Sequence, residues 1–588
     1  MPTNQEIATT LRRVAAVFEV IDSDFFRTRA YQNAANAIEN LTISAHDLFE
    51  QKKLTEIPGV GPNIANHLEE LFTKGKSSHF EREMNRVPSG MFGLLGIRGI
   101  GPKIAFKLAK KFALQSEATA KRDLLKLIKE NKLEGLDGFG DKLIAKLKTS
   151  IDNQFNKKVR MLQSEAYPIA DRFLSYIKNL PRVKMAEPLG SIRRRLSTVG
   201  DIDIAICTNS PGKVIPGILR YPEIYKVISQ GEAVVRVKLR SGHEVDLKVG
   251  KTNEWGSLLQ HYTGSKLHNI SLRTYAASKN LSLSEHGIKN LKNNKIYFAK
   301  DEKTFYHKLN LPYIPPELRE GEEELELAKE NHIPELVESA DLKGDLHLHS
   351  SFDFSTSHDL GTSSLVEILK QAAILGYQYI GITDHNPKFN GLSIAQKKKI
   401  LDKRRMWIKS EIHEYEKIVK SNKIKILIGL EIDIRKDGDL ALEDELFKDL
   451  DYSIVSIHSF FELSREENTA RIIKALSHPK AVILGHPTGR LINQRESIQA
   501  DWLRIIDFCK VNRKILEVNA SPQRLDLPDD LVKLAVRSGV KISINSDSHH
   551  VEQMSHLASG IFVARRGWAT KNDVINTFSF FDLLKMLK

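Results

Sequence analysis

Three aspartates, and a set of histidines and carboxylates beginning at His347, are the residues here whose types and spacing can do chemistry. Asp201 and Asp203 stand two apart in Val199-Gly-Asp-Ile-Asp-Ile204. On a strand, residues i and i+2 share a face, about 6.6 Å apart along the chain. Two carboxylates on one apolar strand repel each other unless a cation neutralises them. A third, Asp246, sits in the β-type run Val245-Asp-Leu-Lys-Val249. Three convergent carboxylates suit two Mg²⁺ ions, which prefer hard oxygen ligands. Such a pair activates an attacking hydroxyl and stabilises a leaving pyrophosphate. Asp246 is the candidate base for that hydroxyl, directly or through metal binding. Gly190 and Ser191, eleven and ten residues before Asp201, form a turn with Arg194. Its amide, hydroxyl and guanidinium donors could cradle a triphosphate. A lone Asp-x-Asp reads as ordinary turn aspartates; the flanking Gly-Ser and the downstream Val-Asp outweigh that reading.

The second group lies at the ends of apolar runs. Asp345-Leu-His347-Leu-His349 puts two imidazoles on one strand face, and later runs end in His385, Glu431, His458, His486, and Asp547-Ser-His549. With Asp359, preferred over Asp353 in the insertion SFDFSTSHDLG, these make nine candidate ligands. Nine are too many for one ion; two or three are expected. Mixed imidazole and carboxylate donors suit Zn²⁺ or Mn²⁺, and a bridging Glu431 would hold two ions together. A single histidine would more often be structural, but six at strand ends with Glu431 and Asp547 make a site. His358, His550 and His556 fit the pattern less well and are set aside as non-ligands.

The elements that must position these groups follow from periodicity. Apolar runs at Asp345–His349, Tyr379–His385, Ile424–Ile434, Tyr452–His458, Ala481–His486, Ile515–Asn519 and Lys541–Asp547 alternate with helix-compatible stretches such as Ser364–Leu375 and Asp529–Ser538. Seven strands in a strand-then-helix rhythm suggest a βα barrel, whose active sites gather on the rim where the strands end. Residues 1–156 read as helical and carry three echoes of one pattern, Ile57-Pro-Gly-Val-Gly-Pro-Asn-Ile-Ala65, Ile97-Arg-Gly-Ile-Gly-Pro-Lys-Ile-Ala105 and a degenerate Leu136–Ile144. A Gly-x-Gly turn between two short helices aims amides outward at a helix N-terminus, where a phosphate is favoured. Gly59, Gly61, Gly99 and Gly101 are thereby candidates for contact with a DNA backbone, positioning a duplex without reading its sequence. Residues 157–253 turn β-rich, 254–316 are mixed, and the acidic stretch 317–342 reads as a solvated helical connector.

At 588 residues the chain exceeds a single core. No apolar run spans a bilayer, and the N-terminus does not read as a secretory signal. Two cysteines, Cys207 and Cys509, fit no metal spacing and suit a reducing cytoplasm. The net charge of +14 is concentrated in residues 1–316, which raises the prior for a polyanionic partner without settling it.

The segment GSIRRRLSTVGDIDIAI, followed by HEVDLKV and Tyr262-Thr-Gly-Ser-Lys-Leu-His-Asn269, closely resembles the family X DNA polymerases of the nucleotidyltransferase superfamily. The resemblance covers residues 1–316. It implies a small helical domain (1–85), fingers (86–156), an α+β palm (157–253) and a thumb (254–316), with helix-hairpin-helix motifs in the first two. It also implies Asp201, Asp203 and Asp246 as metal ligands, Gly190, Ser191 and Arg194 at the triphosphate, Thr263-Gly264 near the incoming sugar, and Asn269 near its base. Lys266 matches the bacterial branch. Two departures stand out. After the double arginine the family usually has Gly and then a basic and an acidic residue, where this chain has Arg195, Leu196 and Ser197. The lysine that forms a Schiff base in beta-type enzymes is matched by His67, which cannot, and nothing places Lys74 or Lys76 correctly for it.

Residues 343–588 resemble the polymerase and histidinol phosphatase (PHP) domain, a distorted seven-stranded βα barrel. The resemblance implies His347, His349, His385, Glu431, His458, His486, Asp547 and His549 as ligands, with Asn519, Arg524, Arg565 and Arg566 as candidate substrate contacts. In bacterial members it implies Mn²⁺-stimulated 3′→5′ exonuclease and related repair phosphodiesterase activity. The expectation is therefore a monomeric enzyme of the bacterial cytoplasm, associated with the nucleoid. It would fill short gaps in primed duplex DNA from dNTPs, as in base excision repair, and trim 3′ ends. Two readings compete: a phosphodiesterase with a weak polymerase, and a non-catalytic DNA-end-binding scaffold. A small-molecule phosphatase would leave residues 1–316 without a purpose.

Overall fold

The computed structural model describes the chain apart from residues 1, 3, 40–44, 96, 98–99, 131, 134–159, 389–390, 420–423 and 588. It divides into two compact units, residues 1–159 and 160–588. Among the described residues no helix is long and apolar enough to cross a membrane.

The first unit is helical. Gly59 ends the turn before the helix Pro62–Lys74 with φ +77°, and a Cβ there would lie 3.3 Å from the Asn33 backbone carbon. Gly61 then caps the helix and Pro62 occupies its first turn, where a fixed φ and a missing N–H are harmless. Gly101-Pro102 repeats the device at the helix Pro102–Lys111. Gly99 and the third echo, Leu136–Ile144, lie outside the described residues. One core gathers Ile7, Leu11, Phe18, Ile64 and Leu68; a second gathers Met91, Leu94, Leu108 and Leu124.

The second unit opens on a five-stranded sheet in the order β2-β4-β7-β6-β5, comprising β2 (Met185–Pro188), β4 (Ile202–Cys207), β5 (Ile224–Gln230), β6 (Val234–Leu239) and β7 (Glu244–Gly250). A two-stranded ribbon, β1 (Met161–Leu162) with β3 (Thr198–Val199), flanks it. Strand alternation sorts β4 cleanly. Ile202, Ile204 and Ile206 face a core shared with Phe173 and Ile177, while Ala205 and Cys207 pack against Trp255, Leu258 and Leu259. A helical segment with the meander β8 (Leu281–Ser284), β9 (Gly287–Asn290) and β10 (Ile296–Tyr297) follows.

The C-terminal part is the expected barrel. Its seven parallel strands run in sequence order: β11 (Gly344–Leu348), β12 (Tyr379–Ile382), β13 (Lys425–Asp433), β14 (Tyr452–Ser456), β15 (Ala481–Gly485), β16 (Ile515–Asn519) and β17 (Ile542–Asn545). The last meets the first through a parallel bridge between Leu348 and Ser548. Six of the seven strands are buried throughout, as in a sheet covered on both faces, and β13 is buried from Gly429 to Ile432 but partly exposed at its ends.

Residues 317–342 are not the solvated connector expected of an acidic run. Glu324 is buried against His268 Nδ1 at 2.7 Å, and Glu317 accepts from Arg565 at 2.8 Å. Glu320 accepts from Arg566 at 2.7 Å, and Lys533 and Arg537 pair with Glu323. Cations brought in from sequence-distant helices turn the run into a seam between the barrel and the segment before it.

Gly381 lies in the barrel interior, where an added Cβ would collide with the Tyr452 hydroxyl that donates to the Leu346 carbonyl. Gly381→Ala is expected to destabilise the barrel by about 1–3 kcal/mol, read as a lowered urea midpoint of its unfolding transition. Adding Tyr452→Phe should recover part of the loss, so strict additivity of the two changes would contradict this packing.

Candidate functional site

The palm site is assembled by register. β4 and β7 run parallel with Asp203 opposite Asp246, and Asp201 directly precedes β4. The Leu189 amide donates to the Asp203 carbonyl at 2.8 Å, which hangs the one-turn helix Gly190–Arg193 over the strand. Gly190 has φ +55°, and a Cβ there would come within 2.6 Å of Asp203 Oδ2, so the turn requires glycine on both counts. Burial, then the charges of Asp201 and Asp246, push the Asp203 carboxyl up to about 6.

Asp246 has a partner that the sequence reading missed. Burial pushes its carboxyl up, but Arg236, opposite on β6, donates to both its oxygens at 2.5 and 2.8 Å. Together with Lys248 at 3.4 Å, it holds Asp246 below the usual range. The palm carboxylates thus sense one another without forming a single shell. Among the described residues, groups whose ligand atoms all lie within 4.8 Å occur in the barrel.

The turn Gly190–Arg194 is braced from several sides. Arg193 donates to Thr263 Oγ1 at 2.6 Å and pairs with Glu302, which also pairs with the buried Arg319. Arg194 donates to the Thr263 carbonyl and contacts Glu320 at 3.4 Å. Gly264 has φ +67°, with Arg194 Nη1 3.3 Å from where a Cβ would stand. Lys266 is exposed at the start of the helix Lys266–Ser278, and the Asn269 amide is engaged by Gln260 and the His261 carbonyl. Arg195, standing where the family usually has glycine, adopts φ +60°. Its guanidinium lies 4.1 Å from the Phe562 ring centroid and 5.3 Å from that of Tyr167. That stacking stabilises a conformation glycine would otherwise supply.

His67, at the position of the Schiff-base lysine, stacks on His79 with ring centroids 4.0 Å apart. Burial lowers both imidazoles. Lys74 pairs with Glu70.

The barrel site converges on Glu431, which is fully buried near the end of β13. Five imidazoles reach its carboxylate: His347 at 3.3 Å, His349 at 3.5 Å, His385 at 2.9 Å, His458 at 3.3 Å and His486 at 2.8 Å. Asp547 approaches His349 at 3.1 Å and His347 at 3.6 Å. Ligands about 2.1 Å from a tetrahedral ion stand roughly 3.4 Å apart, so several of these separations are those of a coordination shell. Buried donor atoms aimed inward, including His347 Nε2, His385 Nδ1, Glu431 Oε2 and His549 Nε2, have no hydrogen-bond partner in the protein. Four groups can hold a cation: His347/His349/Glu431/Asp547, His349/His385/His549, His385/Glu431/His458 and His358/Asp433/His458. The donors present fit two or three borderline divalent ions.

Burial would raise the Glu431 carboxyl, but His385, His347 and His458 hold it well below its usual range. Burial would lower His347, yet Glu517 and Glu431 hold it well above the ordinary imidazole value. His458 is held up at about 9 by Glu431 and Asp433 against the same burial. Burial and the neighbouring imidazoles push His349 down.

The last group corrects the sequence reading. Asp359 is exposed and belongs to none of the four. Its neighbour His358, set aside as a non-ligand, places Nε2 2.9 Å from Asp433 and its ring 4.2 Å from that of His458. The reason is local. Thr356 bridges to Pro387 and donates to the His358 carbonyl at 2.9 Å, which turns His358 inward and Asp359 out. His486 touches Glu431 but falls outside the four groups. Glu517, also missed, is fully buried, 2.7 Å from His347 Nδ1, and accepts from the His486 amide at 2.6 Å. Its only sequence signal was a carboxylate at an interior position of an apolar strand. Asn519 donates to Asp547 at 2.9 Å, whereas Arg565 and Arg566 are engaged by Glu317, Asp529 and Glu320. The Arg524 carbonyl accepts from Arg490. His550 caps the turn Val551–His556, and burial pushes His556 down to about 4.

Three family models match the chain: a helix-hairpin-helix domain over residues 2–77, the DNA polymerase beta thumb over 258–320, and the PHP domain over 345–521. The DNA polymerase/3′-5′ exonuclease PolX of Bacillus subtilis (strain 168) is 31% identical over 590 residues, covering 99% of each chain. A probable phosphatase of Thermoanaerobacter sp. (strain X514) is 28% identical over 243 residues, 40% of this chain and 89% of its own. DNA polymerase lambda of Arabidopsis thaliana is 25% identical over 311 residues, 48% of this chain and 54% of its own.

Because Asp203 titrates near 6 rather than 3.8, the fold favours its protonated form, and the bare carboxylate opposes folding increasingly as pH rises from about 4 to 6. Metal-free Asp203→Asn is therefore expected to be more stable than wild type at pH 8, by up to about 3 kcal/mol. The gain should vanish as pH falls to 4. Urea titrations in EDTA at both values test this, and a loss of stability at pH 8 would contradict the crowded palm.

Proposed function

This chain belongs to the PolX family of bacterial family X DNA polymerases, and on that premise we propose that it adds nucleotides at short gaps and trims 3′ ends from two separate sites. The observation that carries the reading is the presence of two distinct acidic centres, one registered across β4 and β7 and the other gathered on Glu431. Full-length similarity to a relative named for both activities supports it.

In the palm, Asp201, Asp203 and Asp246 hold two Mg²⁺ ions. Gly190, Ser191 and Arg194 bind the triphosphate of a dNTP, with Lys266 close by, Thr263-Gly264 lie at its sugar, and Asn269 lies at its base. In the barrel, His347, His349, His358, His385, Glu431, Asp433, His458, Asp547 and His549 hold Mn²⁺ or Zn²⁺, with His486 bracing Glu431. Bound divalent cations supply Lewis acidity at both sites, activating the attacking oxygen and neutralising the leaving group. Asp246 orients the primer hydroxyl, and Asn519 fixes the Asp547 carboxylate. Gly59, Gly61, Gly99 and Gly101 lie against the backbone of a gapped or primed duplex. A Cβ at Gly61 or Gly101 would meet nothing in the protein, so a partner outside the chain accounts for their small size. The protein works as a monomer in the bacterial cytoplasm, in association with the nucleoid.

A weaker polymerase is favoured by one observation. Arg194 and Asp246, which must face nucleotide and metal, are engaged by Glu320 and Arg236. Extension of one labelled gapped duplex with Mg²⁺ or Mn²⁺ decides between the two readings. Asp201→Ala/Asp203→Ala should lower extension at least a thousandfold and leave trimming intact, and His347→Ala/His349→Ala should do the reverse. Equal loss of both activities in each double mutant would defeat the two-site scheme.

A further inference from the structure

Beside the barrel ligands opens a cavity of about 740 Å³ whose walls include His358 and Asp433. Its rim carries three exposed cations, Lys388, Arg435 and Lys436, and one exposed carboxylate, Asp437. At its edge stands Phe460, 55% exposed, two residues after the ligand His458.

The loop that presents the ring is built, not loose. Phe460 adopts φ +55°, a conformation disfavoured for an aromatic residue by roughly 1–2 kcal/mol. It is held there by Arg471, a guanidinium only 2% exposed, which donates to the Ser459 and Phe460 carbonyls at 3.2 and 3.1 Å. Gly438 closes over Arg471 with φ +86°; a Cβ there would lie 2.9 Å from the Arg471 Cα. A buried arginine spent on two loop carbonyls fixes the ring at the cavity mouth, and Lys436 Nζ lies 6.0 Å from the ring centroid.

We propose that this cavity is the seat of a single-stranded nucleic-acid 3′ end, with Phe460 stacking on a base near the terminus and Lys388, Arg435 and Lys436 on the internucleotide phosphates. The inference rests on the phosphodiesterase reading of the barrel and gives its substrate a binding subsite. An aromatic face beside a row of cations is how proteins hold single strands without reading sequence. A phosphomonoester would use the metals and one cation but would leave the ring without a role. Duplex DNA keeps its bases stacked on each other, so Phe460 selects ends that have frayed or mispaired.

The test uses the full-length protein with Mn²⁺ and two 5′-labelled oligonucleotides, one natural and one whose last two residues are abasic tetrahydrofuran analogues. Wild type is expected to show a KM roughly tenfold lower for the natural end. Phe460→Ala should bring that ratio close to one, and Phe460→Trp should restore it. A loop change acting only through structure would move both substrates together and leave the ratio where it was; that result overturns the proposal, as does a wild type indifferent to the abasic end. Hydrolysis of p-nitrophenyl phosphate with no attack on either oligonucleotide would also overturn it, in favour of a phosphomonoesterase. If wild type cleaves none of the three, the phosphodiesterase reading itself falls.

Discussion

A carboxylate with no access to solvent sits at the centre of the barrel, and the domain is arranged around neutralising it. Glu431 has five imidazoles against it and no lysine or arginine. Each comes from a different strand end or from alternate residues of one, which only a parallel, closed sheet delivers to the same rim. Two neighbouring carboxylates set the orientations of two of the imidazoles. Glu517 holds His347 from behind, and Asp433 holds His458, in each case through Nδ1. Nε2 is thereby left facing inward, and an imidazole so polarised is a better ligand.

The palm neutralises its charge differently. Asp246 is met by Arg236 and Lys248, whereas Asp203 has no such partner and instead gives up acidity. Its nucleotide turn is also tied to the barrel. Arg566, on the helix Leu557–Arg566, donates to the Arg194 carbonyl at 3.0 Å and shares Glu320 with the Arg194 side chain. Phe562 of the same helix underlies Arg195. The turn that would meet the triphosphate is thus shaped partly by residues nearly 400 positions downstream, which makes the barrel part of the polymerase scaffold.

Much of this was legible before any coordinates. The apolar runs between helix-compatible stretches match the seven barrel strands, and the imidazoles and carboxylates at their ends could be read as one cluster because a strand end has one place to go in a closed parallel sheet. Asp203 and Asp246 were legible for the same reason, each lying in an apolar run that had to be a central strand. What escaped depends on contacts between distant residues. The choice of His358 over Asp359 turns on an irregular loop with no period, pinned by Pro387. Asp433 gains its role only when β13 and β14 bring it to His458. Arg236 and Glu517 are single charges in β-type runs, and nothing singles them out until their partners appear. The acidic run at 317–342 looked like a spacer because nothing local foretells that Arg565, Arg566, Lys533 and Arg537 fold onto it.

These electrostatic arrangements also separate an enzyme from a scaffold on physical grounds. Burying Glu431 and Glu517 among imidazoles, several of which have a nitrogen without a hydrogen-bond partner, costs stability, since each unmatched polar atom carries a desolvation penalty. A domain selected only to hold DNA ends would lose nothing by replacing this cluster with leucine and valine, and would gain stability. The same reasoning covers Asp203, which resists ionisation at the edge of an otherwise apolar strand. Both sites keep charges that the fold alone would discard, as a site built to receive a cation does. The palm uses oxygen ligands alone, suited to an ion that keeps its waters and exchanges quickly. The barrel uses nitrogen and oxygen together, suited to an ion that stays. That difference in donor chemistry favours different divalent ions at the two sites.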